Sequence, residues 1–274
     1  MSYQDYRCFK FREDRGVLFV TIDSPPINLM TLEMASEITR LTGEIAADDG
    51  VKVVVFRSAN PAYFIAHFDV TVLAQFPDTP PPKQQETAEA AATRVLFRSM
   101  PKISIAQIEG RARGGGSEFA LSLDMRFGAL GKTVLGQPEI AVGILPGGGG
   151  TQRLPRLIGR ARALEVVMSG MDLSAETAER YGYINRALPP DELGPFVETL
   201  AYRIASYSSD AIALLGNSSK SLPTTSGAKR CCEAPHSLHP ARPCTSSMQM
   251  SGVRSAASRA AVERILPAGT IASR

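Results

Sequence analysis

Residues 109–127 read EGRARGGGSEFALSLDMRF. Three consecutive glycines, Gly114, Gly115 and Gly116, run into Ser117, Glu118 and an apolar stretch that begins at Phe119. Glycine lets a backbone turn tightly and approach a ligand closely. The pattern predicts a helix starting near Gly115 or Gly116. Its first N–H groups lack intrahelical partners and can face developing negative charge. Glu118 then falls in the first helical turn, beside the same ligand. A plain tight turn with an acidic first-turn residue accounts for the stretch as well, and the block alone leaves both open.

A second glycine-rich block follows at residues 135–160, LGQPEIAVGILPGGGGTQRLPRLIGR. Gln137-Pro138-Glu139 is expected to turn and project a carboxylate, and Gly147–Gly150 is a flexible run ahead of Thr151. The run is not a P-loop, because Gln152 follows Thr151 where Gly-Lys-Ser/Thr is required. The spacing of Gly110, Gly114, Gly115 and Gly116 does not make a dinucleotide fingerprint. No H-E-x-x-H or zinc-spaced Cys pair appears, so no metal site is expected. His236 and His239, with Cys231, Cys232 and Cys244, are the one cluster of ligating types. Two carboxylates beside glycine-rich turns suit paired acid–base work, one activating water while the other donates a proton.

Working outward, strand and helix signals alternate. Val17–Ile22 reads as a strand after Arg15-Gly16, ended by Ser24-Pro25-Pro26. Residues 31–45 read as an amphipathic helix with Leu32, Ile38, Leu41 and Ile45 on one side and Thr31 as its cap. Val51–Phe56 and Ile103–Ile108 read as strands, Glu86–Phe97 as a helix, and FPDTPPPK at 76–83 as a surface loop. The order implies an α/β fold with crossover connections. No internal repeat is visible in the residues.

The chain has 274 residues and a mass of 29.4 kDa, with 44% hydrophobic and 21% charged residues. That composition supports a large core and excludes a disordered chain, a collagen and a coiled coil. The formal charge of +3 is unevenly placed. From Ser221 onward seven basic residues face two acidic ones, a surplus of five, which leaves residues 1–220 at −2. The basic character is thus no argument for nucleic acid. No apolar run reaches the roughly 18–20 residues of a membrane span. The polar start, MSYQDYRCFKFREDRG, lacks the pattern of a secretory signal, and a cytoplasmic setting is expected. Residues 218–247 are rich in Ser, Pro and Thr without helix or strand period, while Val253–Leu266 looks mildly helical. A flexible extension and a shifted reading frame both account for this tail. Weak order or an unusual path is expected over residues 216–252.

The two glycine blocks resemble the crotonase, or enoyl-CoA hydratase/isomerase, superfamily. RGVLFVTIDSPPINLM (15–30), VKVVVFRSANPAYFIAHFDV (51–70) and AERYGYINRALP (178–189) add to the resemblance, which covers about residues 10–215. It implies a spiral of ββα repeats over residues 1–205, followed by a C-terminal helical region over 206–274. It also implies an acyl-CoA substrate, no separate cofactor since coenzyme A is part of the substrate, and a homotrimer or dimer of trimers.

Carried over by position, Glu118 matches the glutamate that activates water and Glu139 the one that supplies a proton to Cα. The backbone N–H of Gly115 matches one oxyanion donor. The other family donor lies in an Ala-Gly-Ala-Asp motif. Here the stretch is Ala66-His67-Phe68-Asp69, which puts that N–H on Phe68. Ala66, His67, Asp69, Arg113, Gly114, Pro138 and Gly147 are expected to line the pocket. His67 is either a polar participant or a packed loop residue. Arg113 meets a polar substrate group, a CoA phosphate, or an acid such as Asp69. The implied reaction is hydration of a 2-enoyl-CoA. Double-bond isomerisation, C–C cleavage, thioester hydrolysis and non-catalytic acyl-CoA binding are the alternatives.

Overall fold

The computed structural model describes residues 3–75, 97 and 99–221. Strands β1 (Phe9–Asp14) and β2 (Val17–Ile22) form an antiparallel hairpin. Arg15 and Gly16 join them with φ of 48° and 77°, the left-handed pair that a two-residue type I′ turn needs. Helix α1 (Leu32–Ala47) follows, its first turn capped by Thr31, whose hydroxyl accepts from Met34 N–H. It buries Met34, Ile38, Leu41 and Ile45. Leu32, expected on that face, is 56% exposed, because at 3.6 residues per turn it lies nearly opposite the buried stripe that Met34, Ile38 and Ile45 form.

The chain then winds between two sheets. Strand β3 (Val53–Ser58) enters a large sheet and β4 (Tyr63–Ile65) a small one. Strands β5 (Ile103–Ile108) and β6 (Arg111–Arg113) repeat the step, and helix α2 (Gly115–Ser122) closes that repeat. Strands β7 (Met125–Ala129) and β8 (Val134–Gly136) repeat it again. Helices α3 (Gly150–Ile158) and α4 (Arg160–Ser169) follow, then β9 (Leu173–Ser174), α5 (Ala175–Tyr181), β10 (Arg186–Leu188), α6 (Pro190–Ala205) and α7 (Ser209–Ser221). The large sheet has the order β1-β2-β3-β5-β7-β10 and is parallel from β2 onward. The small sheet has the order β4-β6-β8-β9. This is a spiral of strand–strand–helix repeats with helices at its C-terminal end, as the resemblance implies.

Both faces of the large sheet are buried at β2, β3 and β5, which explains their near-continuous apolar runs. Leu18, Val20, Val54 and Phe56 face the core shared with α1 and α2. Val17, Phe19, Val53, Val55 and Ile105 face α6, which meets them with Leu193, Val197 and Ala201 at helical spacing. The last helix, α7, is held by Lys220. Its ammonium donates to the carbonyls of Phe97, Met100 and Lys102 and pairs with Asp124 at 3.0 Å. The helix therefore runs six residues, 216–221, into the stretch where weak order is expected from the sequence. Residues 222–252 of that stretch, Val253–Leu266, FPDTPPPK, nearly all of Glu86–Phe97 and the His236/His239 cluster lie outside the described residues. Among the described residues no helix is long and apolar enough to cross a membrane.

Candidate active site

Glu118 sits where the sequence places it, in the first turn of α2. Strand β6 ends at Arg113, and Gly114 (φ 49°) turns the chain straight into the helix. Gly114 N–H donates to Gly136 O at 2.9 Å, tying that turn to β8. The helix is anchored by Phe119, whose ring lies 5.1, 6.0 and 6.3 Å from those of Phe56, Phe97 and Phe64. At its other end the buried Arg126 guanidinium donates to Leu123 O at 2.7 Å and to Tyr183 O at 2.9 Å. A cation there complements the negative end of the helix dipole. Glu118 is buried, and its Oε1 accepts from Gly150 N–H at 2.8 Å. The first residue of α3 thus holds the carboxylate of α2.

Glu139 lies in a 3₁₀ turn, Pro138–Val142, with Pro138 at its first position. Its carboxyl is buried, and Oε2 has no hydrogen-bond partner among the described residues. A Cβ on Gly114 would come within 2.9 Å of Glu139 Oε1, so the carboxyl lies against the start of α2. Burial, and after it the negative charge of Glu118, push the Glu139 carboxyl up to about 7, against a smaller opposing pull from Arg113. The two glutamates therefore share one electrostatic environment, with one of them poised to carry a proton near neutral pH.

The loop at 66–69 runs alongside. Met30 N–H donates to His67 O, and Asp69 N–H to Met30 O, both at 2.9 Å. This parallel bridge turns the Phe68 N–H between them away from Met30. A Cβ on Gly115 would lie 3.4 Å from Phe68 N and 3.1 Å from Phe68 Cβ. Gly115 opens α2, where a backbone N–H has no partner in its own helix. The two expected oxyanion donors are thus brought side by side.

The pocket candidates divide. Gly114 and Pro138 adjoin the Glu139 carboxyl. Ala66 is buried, and its carbonyl accepts from Arg113 N–H at 3.3 Å. His67 is half-buried, with Nδ1 2.8 Å from Phe68 O. Asp69 turns to local work, with Oδ1 accepting from Thr71 N–H and Oγ1 at 3.0 and 2.7 Å. Arg113 pairs with Asp172, Nε to Oδ1 at 2.7 Å, rather than with Asp69. Asp172 adjoins β9, whose pairing with β8 brings it across from β6. Gly147 precedes Gly148, where a Cβ would meet Glu118 Oε2 at 2.5 Å. The hold of Gly150 on Glu118, and the part of Gly148, were not read from the glycine run. The Tyr183 hydroxyl, 2.6 Å from Ser117 Oγ, also reaches this region, and no sequence motif marks an aromatic hydroxyl so distant along the chain.

A cavity of about 520 Å³ opens elsewhere, beneath α7, between Leu123, Arg126, Leu157 and Lys220, and neither glutamate lines it. Among the described residues no group of three His, Cys, Asp or Glu is placed to hold a metal ion.

Comparison with known proteins agrees with the fold. The family model "Enoyl-CoA hydratase/isomerase" matches residues 12–254. The chain is 37% identical over 186 residues to the fatty acid oxidation complex subunit alpha of Shewanella frigidimarina, a match covering 65% of this chain and 25% of that protein. It thus spans about a quarter of the length of the curated relatives it matches. A putative enoyl-CoA hydratase from Streptomyces avermitilis superposes with a TM-score of 0.74 at 35% identity, covering 84% of this chain and 83% of that one. An enoyl-CoA hydratase from Bacillus anthracis gives 0.70 at 28%, covering 78% and 83%. With the spiral, the glycine-flanked carboxylates and these matches in agreement, the chain belongs to the enoyl-CoA hydratase/isomerase family.

Proposed function

We propose that this chain hydrates 2-enoyl-CoA thioesters. The observation that carries the reading is the buried pair Glu118 and Glu139, with Glu139 pushed up to about 7. A carboxyl in that range holds a proton for part of the population at neutral pH and can give it up. In the proposed step water, held by Glu118, attacks Cβ, and its O–H proton passes to Glu118 as the O–Cβ bond forms. The double-bond electrons move onto the thioester oxygen, between the N–H groups of Phe68 and Gly115. Glu139 then protonates Cα as the enolate collapses. Glu118 ends protonated and Glu139 ionised, and one proton returned through solvent restores both.

The test is incubation with crotonyl-CoA and longer enoyl-CoAs, following loss of the conjugated thioester absorbance and the product mass. A gain of one water supports hydration. A shifted double bond at unchanged mass supports isomerisation instead, and cleavage products support the other reactions of the family.

A cytoplasmic trimer, with a core over 1–205 and an assembly region beyond it, belongs to the same proposal. The assembly is supported by the exposure of Met168 (61%) and Met171 (62%) in the core and of Leu214 (69%) and Leu215 (67%) beyond it, apolar area that a trimer would cover. Light scattering should return about three times the 29.4 kDa chain mass, or six times for a dimer of trimers.

A further inference from the structure

We propose that Tyr183 is a positioning residue whose hydroxyl holds the Glu118 and Glu139 peptides in register. The inference rests on the two-glutamate reading above. Tyr183 is fully buried, and its ring belongs to the main core. Its hydroxyl lies 2.6 Å from Ser117 Oγ and accepts from Gln137 Nε2 at 3.3 Å. Ser117 precedes Glu118, and Gln137 stands two residues before Glu139. One phenol therefore bridges the two catalytic segments, which belong to different turns of the spiral.

The circuit closes on its other side. A Cβ on Gly150 would meet Gln137 Oε1 at 3.0 Å, so the Gln137 amide lies against Gly150. Gly150 N–H in turn holds Glu118. Tyr183 is itself fixed at the backbone, its N–H donating to Ala178 O and its carbonyl accepting from Arg126 Nε. Arg126 also holds the far end of α2 through Leu123 O. Both ends of the helix that carries Glu118 are thus tied to residue 183. Such a tie acts on alignment, where displacements of an ångström cost large factors in rate.

The experiment compares wild type with Tyr183→Phe, Ser117→Ala and the double variant in the full chain. The control is Tyr181→Phe, since among the described residues the Tyr181 hydroxyl donates to the exposed Glu165 and to no other group. Expected for Tyr183→Phe is kcat about tenfold lower with KM within about twofold. Ser117→Ala should lower kcat in the same direction and add little in the double variant, because the bond it removes is one of the two that Tyr183→Phe removes. Carboxyl-carbon NMR of labelled glutamate supplies a readout that needs no turnover. Loosening the tie should admit water and bring the Glu139 titration down toward the ordinary carboxylate range. Glu118 and Arg113 are the charges that face it. Wild-type kcat and an unmoved Glu139 titration in both single variants would overturn the proposal, as would full additivity. If wild type hydrates no enoyl-CoA, the parent reading fails, and the titration still decides whether Tyr183 sets the Glu139 environment.

Discussion

Glu118 of α2 accepts a 2.8 Å hydrogen bond from Gly150 N–H, the first residue of α3. The two glycine-rich blocks of the sequence are therefore two sides of one site. The first supplies a carboxylate, and the second supplies the backbone that fixes it.

The raised Glu139 carboxyl makes stability depend on pH. Its folded value is about 7 against an ordinary 4.5. Below pH 4.5 the group is protonated in both states and costs nothing. Between 4.5 and 7 the folded form keeps a proton that the unfolded form has released, so stability falls as pH rises. Glu139→Gln lacks this slope. Its stability advantage over wild type should grow from near zero at acid pH to about 3 kcal/mol by pH 8. Urea melts across that range measure it, and parallel curves for the two proteins would show an ordinary Glu139.

Gly148→Ala separates alignment from folding. The new Cβ would lie 2.5 Å from Glu118 Oε2, 2.8 Å from its Cδ and 3.1 Å from its Cβ, so the carboxylate must leave its place on Gly150 N–H. A shift of the carboxylate should lower kcat/KM about 10–100-fold with only a small change in melting temperature. Steady-state kinetics beside a thermal melt check both halves.

Arg126→Met tests the other end of α2. The guanidinium is buried, and among the described residues it donates to the backbone carbonyls of Tyr183, Ala120 and Leu123. Burial pulls it down to about 10, which still leaves it charged at neutral pH. Methionine fills similar space but leaves the Leu123 and Tyr183 carbonyls unpaired. The expected loss is about 2–4 kcal/mol in urea unfolding.

The helix start at Gly115, the strand Val17–Ile22 and the Thr31 cap were legible, because glycine, apolar runs and capping residues carry local signals. The repeat was not. It lies in the path of the backbone, and β4, β6 and β8 are three residues each, too short for periodicity to show. Strand β1, FKFRED, was hidden by its polar outward residues. Within the site the glutamates were legible through their glycines. The partner of Arg113 was not, because Asp172 reaches it only through the pairing of β8 with β9. Tyr183 meets Ser117 across 66 residues of chain, a contact that only tertiary structure creates.

The central claim is that Glu118 and Glu139 together perform the hydration. The most direct measurement is kcat/KM for crotonyl-CoA in wild type, Glu118→Gln and Glu139→Gln, each verified as folded. Each single change should lower the rate by about 10²–10⁴, with the double variant little worse than the poorer single one. Wild-type rates in either single variant would contradict the account.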